Sequence, residues 1–211
     1  MFESLTASKE DAINILKSDH KKVKELFDQF ENAENMREKK KIAAEAIMEL
    51  KIHAEIEEKI FYPAIRKGVD EDLMNEADEE HHVAKLLIGE LDNMEASDDH
   101  WEAKFTVLAE NIRHHIKEEE GEMMPKARRQ EIDFEELGQK LLMAKEKLKK
   151  NGVPESAEGK LMARGVKADS PAQAAKGKAN LKLASHKPGK PTPGSHTPMK
   201  KAASHAKRKN G

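Results

Sequence analysis

Four stretches of this chain carry apolar residues at alternating steps of three and four, the spacing that puts side chains on one face of an α-helix. The first stripe is Ile13, Leu16, His20, Val23, Phe27 and Phe30. The second is Ala46, Leu50, His53, Glu57, Ile60 and Ala64. The third is Met74, Ala77, His81, Ala84, Ile88 and Leu91. The fourth is Trp101, Phe105, Leu108, Ile112, His115, Glu119 and Met123. Start signals precede them: Ser8 with Asp11, Asn35 with Glu38, and Asp133 with Glu136 have capping-box spacing, and Asp70, Ser97 and Asp98 also stand before helical runs. The pattern predicts helices at about 9–31, 36–66, 71–95, 99–124 and 133–150. Long helices with short connections predict an all-α fold, an antiparallel up-and-down four-helix bundle with the fifth helix across its end or side. Pro63 and Pro125 are expected to kink or stop their helices just before the ring.

Every stripe contains a histidine, and two contain a glutamate one turn later. A lone histidine on an apolar face is ordinarily a core residue with a local hydrogen-bond partner. Four of them, one per helix, need a different account, because buried ionisable groups are costly unless paired or metal-bound. Phase settles two ambiguities. Successive helical residues differ by about 100° in direction, so only one of His81–His82 and one of His114–His115 faces inward. The face through His82 carries Asn75, Asp78, Leu86 and Gly89, and that through His114 carries Val107, Asn111, Glu118 and Gly121. Both are poor apolar stripes. His81 and His115 are therefore expected inside, and His82, His100 and His114 at the rim.

The segment from His53 to Pro63, HAEIEEKIFYP, aligns with that from His115 to Pro125, HIKEEEGEMMP. In both, glutamate follows histidine by four and proline follows by ten. Residues at i and i+4 share a helix face, so each segment presents an imidazole and a carboxylate together. With His20 and His81, four imidazoles and two carboxylates converge. Nitrogen and oxygen ligands without sulfur suit iron, manganese or zinc. Two carboxylates among six ligands fit a pair of metals, with Glu57 and Glu119 as bridges.

This arrangement resembles the hemerythrin-like, or HHE cation-binding, family. The resemblance covers roughly residues 10–130 and rests on Asp19-His20, His53xxxGlu57, Glu79-Glu80-His81 and His115xxxGlu119. It implies a four-helix bundle around a non-heme, oxo- or hydroxo-bridged di-iron centre that handles oxygen or a related oxidant. It also implies terminal ligation by His20, His53, His81 and His115, and bridging by Glu57 and Glu119. Two positions depart from the oxygen-carrying members. Lys85 stands where they have a second third-helix histidine, and Glu119 stands where they use an aspartate at wider spacing. One iron should then be less saturated by protein, with water, hydroxide or one of Glu80, Glu118 and Tyr62 filling the gap. Asp19 and Glu80 adjoin ligands and are placed to tune them.

Charge divides the chain. Residues 151–211 hold thirteen Lys+Arg against three Asp+Glu, six of the eight prolines and no aromatic residue. That composition predicts a disordered basic tail after a bundle of residues 1–150, suited to weak contact with nucleic acid or an anionic surface. His186, His196 and His205 lie in it and are expected to be solvated. The chain has no cysteine, which excludes disulfides, thiolate metal sites and cysteine nucleophiles. Neither a membrane-spanning run nor a signal peptide is evident, so a cytoplasmic protein is expected. No phosphate-binding glycine loop, nucleophile elbow or HExxH is present. Three functions stay open: a module binding or sensing oxygen, nitric oxide or peroxide; an enzyme disproportionating peroxide or oxidising ferrous iron; and a metal-stabilised interaction protein.

Overall fold

The computed structural model describes residues 11–168, and all regular elements among them are helical. The helices are α1 (Ala12–Asn32), α2 (Met36–Ile56), α3 (Glu71–Leu91), α4 (Trp101–Glu118), α5 (Phe134–Asn151) and α6 (Ala157–Ala168). Local chemistry sets their starts. Asp11 accepts the Asn14 N–H at 3.1 Å, so it caps α1; Ser8 lies outside the described residues. Asn35 accepts from Glu38 N at 3.0 Å, and Asp133 from Glu135 N and Glu136 N at 3.1 and 2.9 Å. Each such cap satisfies an N–H that the helix itself leaves free. α4 begins two residues later than its sequence suggests. Asp98 uses its carboxylate on Glu95 N at 2.7 Å, and His100 adopts φ 71°, a left-handed conformation that starts no helix.

The apolar faces meet in two clusters. One gathers Val23, Phe27, Phe30, Leu50, Trp101, Phe105 and Leu108. The other gathers Leu16, Ile56, Phe61, Met74, Met123 and Leu141. Phe30 and Phe105 rings lie 4.2 Å apart between centroids. Along α1 the change from one cluster to the other falls between Leu16 and Val23, and along α3 between Ala77 and Ala84. His20 and His81 occupy those levels. The site is thus a polar layer sandwiched between two dry ones. Each fully buried large apolar side chain contributes about 1.5–3 kcal/mol, and these layers offset the cost of that polar level.

Of the two outcomes expected at the prolines, a kink or a stop, the stop does not occur. α2 runs into a wide π turn at Glu57–Phe61 and on through a helical turn at Tyr62–Ile65; α4 runs into a π turn at Glu119–Met123 and on through Met124–Ala127. Tyr62 N–H bonds to Glu57 O, and Met124 N–H to Glu119 O, each five residues back. The wider turn relieves the clash a proline ring would otherwise make with the preceding turn. It also advances the inward face by one residue. After Glu57 the buried residues are Phe61, Tyr62 and Ile65, while Ile60 and Ala64 of the sequence stripe are only partly buried.

The described structure does not end at residue 150. α6 forms within the segment expected to be disordered and packs on α3. Ser156 Oγ accepts the Gly159 N–H at 3.0 Å near its start. Gly89 and Gly159 let the helices approach closely: a Cβ on Gly89 would lie 3.1 Å from Gly159 Cα. The remaining tail, with His186, His196 and His205, lies outside the described residues. α5 packs on α1 and α2, where Lys145 pairs with Asp19. Among the described residues no helix is long and apolar enough to cross a membrane.

Candidate metal centre

The six residues singled out by spacing meet in one place. His20, His53, Glu57, His81, His115 and Glu119 are all buried, and Glu57 is wholly inaccessible. The rim histidines behave as their phase requires, with the His82 and His114 side chains 51% and 57% exposed. The imidazoles come in two pairs. His20 Nε2 lies 3.0 Å from His53 Nε2, and His81 Nε2 lies 3.2 Å from His115 Nε2. Glu57 spans them: its Oε1 is 3.1 Å from His53 Nε2, and its Oε2 is 3.5 Å from His81 Nε2. Glu119 Oε2 is 3.2 Å from His20 Nε2. Potential ligand atoms therefore form two groups, one from His20, His53, Glu57 and Glu119, the other from Glu57, His81 and His115.

What lies behind each ring explains the orientation. His20 Nδ1 bonds to Glu120 at 2.9 Å, His81 Nδ1 to Glu58 at 2.9 Å and His115 Nδ1 to Glu80 at 2.8 Å. His53 Nδ1 is 3.5 Å from Asp19. A carboxylate accepts, so the Nδ1 it faces carries the proton and Nε2 keeps its lone pair. Two such lone pairs facing each other at 3.0 Å repel unless a cation stands between them. The orphaned oxygens agree. Both oxygens of Glu57 and both of Glu119 are buried without a hydrogen-bond partner. Such atoms are rare in a folded protein and costly. The residues fit a bound metal pair well.

The partners follow a cyclic rule. The acid before the α1 histidine supports the α2 histidine, and the acid before the α3 histidine supports the α4 histidine. The glutamate after Glu57 supports the α3 histidine, and the glutamate after Glu119 supports the α1 histidine. Asp19, Glu58, Glu80 and Glu120 thus interlock four helices with approximate two-fold repetition. Asp19 and Glu80 adjoin candidate ligands in the sequence. Glu58 and Glu120 are marked in the sequence only as the second glutamate of an HxxxEE run, and the Glu118–Glu120 run reads there as a solvated face plus one ligand.

The repetition breaks at Tyr62, which aligns with Met124. The Tyr62 hydroxyl lies 3.3 Å from His81 Nε2 and 3.4 Å from His115 Nε2, beside the group with fewer carboxylates. Of the three residues considered for a ligand gap, Tyr62 reaches the interior, Glu80 supports His115, and Glu118 stays near the rim beside His114. Lys85 is turned away, its ammonium donating to Glu58 at 2.6 Å. Above the imidazoles a cavity of about 170 Å³ opens, lined by Val23, Leu50, Ala84, Ile88, Ile112 and Ile116 and closed by Val153–Gly159.

Electrostatics follow burial. Burial, then the neighbouring Glu119 charge, raises Glu57 well above its ordinary value. Burial also raises Glu119, but the His20 imidazole 3.2 Å away and the other nearby imidazoles outweigh it and bring it to about 2. Without a cation, both carboxylates cannot be ionised together. Burial, then the Glu119 and Glu57 charges, holds the Tyr62 proton firmly.

Interlocked histidines and glutamates, converging in pairs between helices, define a helical metal-binding protein. A family profile described as the hemerythrin HHE cation binding domain matches residues 11–127, and the chain belongs to that family. It is also similar to a crystal structure of a hemerythrin HHE cation binding domain-containing protein, the Rv2633c homolog from Mycobacterium kansasii. Identity is 23%, the likeness covers 79% of this chain and 98% of that one, and the TM-score is 0.57, so the fold is shared. No curated protein matches the chain.

Proposed function

We propose that this chain is a non-heme di-iron protein that binds or senses a small oxidant, dioxygen, nitric oxide or peroxide, within an up-and-down four-helix bundle. The Glu57 carboxylate carries the reading: buried, unpartnered, and divided between two histidine pairs. In this reading His20, His53, His81 and His115 are terminal ligands and Glu57 and Glu119 bridge. Manganese or zinc would fit the same donors. Iron, when bound, supplies the electrons that oxidant chemistry needs. The chain supplies orientation through the four carboxylates behind the rings, and an apolar cavity that admits a small neutral molecule while disfavouring water.

Tyr62 favours a second reading, an enzyme acting on peroxide. Its hydroxyl stands beside the His81–His115 pair and keeps its proton, so it can donate a hydrogen bond to a developing oxyanion. The reading takes the protein as cytoplasmic, with the basic tail as a separate, weak and salt-sensitive contact to nucleic acid or an anionic surface.

Metal analysis with absorption spectra, before and after oxygen and peroxide, tests the proposal. About two irons per chain and bands that respond to oxidant are expected. His53→Ala and Glu119→Ala should lose most iron, and His82→Ala should keep it. Tyr62→Phe should keep iron while slowing peroxide turnover. A well-folded protein that takes up no iron would overturn the proposal.

A further inference from the structure

α4 carries a second histidine–glutamate pair that the interior does not use. His114 and Glu118 repeat the i, i+4 spacing of His115 and Glu119, shifted one residue and so turned about 100° outward. His114 Nε2 lies 3.2 Å from Glu118 Oε1 and 3.6 Å from Glu80 Oε1. Three potential ligand atoms thus converge from α3 and α4. The other oxygen of Glu118, Oε2, is buried and without a hydrogen-bond partner. The approximate two-fold repetition shows that the bundle does not require this cluster. The α2 positions matching His114 and Glu118 are Ile52 and Ile56, both fully buried. Charge differs too. Asp19, the counterpart of Glu80, is neutralised by Lys145, whereas among the described residues no lysine or arginine pairs with Glu80 or Glu118.

We propose that Glu80, His114 and Glu118 form a third, outer divalent-cation site that loads the interior His81–His115 pair. One imidazole and two carboxylates suit a first-row divalent ion, and three protein ligands leave positions open for water and exchange. Glu80 is shared: Oε1 faces His114, and Oε2 accepts from His115 Nδ1 at 2.8 Å. A crevice lined by Leu73 and Met123 lies between Glu80 and Glu118 of the surface cluster and His115 and Glu119 of the interior. It is too narrow for water at rest, so transfer requires a side-chain swing, and the partly buried Glu118 is placed to make it. The loading role rests on the two-metal reading of the interior; the outer site does not.

Cobalt(II) is the probe, with binding followed by equilibrium dialysis, filling by stopped-flow absorption, and positions by anomalous scattering. Wild-type protein should bind one more ion per chain than His114→Ala or Glu118→Gln. Both variants should fill the interior about tenfold more slowly, since a surface charge cluster raises local ion concentration by such factors. Glu80 is left unchanged because it also orients His115. An interior that fills while the outer position stays empty overturns the site. A filled outer position with unchanged loading in the variants overturns the loading role. A filled outer position above an empty interior supports the site and overturns the di-iron reading.

Discussion

Glu58 shows how much one side chain can hold at once. It accepts from His81 Nδ1 and from the Lys85 ammonium, tying α2 to α3. Burial pushes its carboxyl upward, yet those two partners outweigh it and bring it to about 2 from an ordinary 4.5. A lowered folded value means stabilisation that is complete above the unfolded value and lost as pH falls towards the folded one. In metal-free protein, Glu58→Gln should therefore destabilise by on the order of 1–3 kcal/mol at pH 6. The gap to wild type should narrow steadily below about pH 4.5. Urea denaturation at pH 6 and pH 3 measures it, and a gap that stays constant would show that Glu58 acts by packing alone.

At the scale of elements, periodicity carried the reading as far as the helices keep one period. His20, His53, Glu57, His81, His115 and Glu119 were legible because each lies on an unbroken stripe. Tyr62 was not assignable, because the π turn after Glu57 adds a residue that no stripe records. That shift also displaced Ile60, once expected inward, in favour of Phe61. α6 escaped notice for a different reason. Its helix-forming run from Ala157 sits between Pro154 and a proline-rich tail, and composition averaged over that segment hides it. Its docking depends on Gly89, whose added Cβ would also lie 3.2 Å from Met162 Cγ. Gly89→Leu should cost α6 its seat, at about 1–3 kcal/mol of overpacking. Hydrogen exchange should then speed up in Ala157–Ala168 while α1–α4 keep their protection.

For the whole molecule, the two candidate ligand groups draw side chains from four helices, so occupancy would couple to global stability. An ion that binds only the folded state at a hundred times its Kd adds about 2.7 kcal/mol. Zinc or iron should raise the melting temperature, a chelator should reverse the gain, and His53→Ala should lose most of it. His82→Ala should keep it, since His82 bonds to Glu158 of α6 at 2.8 Å and not to the centre. Calorimetry with and without chelator checks this. A gain that survives undiminished in His53→Ala would place the stabilising ion elsewhere.

The near-repeat of α1–α2 in α3–α4 has a consequence for what one polypeptide permits. Two separate, identical helix pairs meeting about an axis would have to bring either two phenols or none, and either two outer histidines or none. Joining both halves in a single chain lifts that restriction. One half keeps Tyr62 and a sealed isoleucine flank; the other keeps Met124 and the polar flank of His114 and Glu118. Division of labour between the two candidate ligand groups is thus available to this chain in a way that strict symmetry forbids.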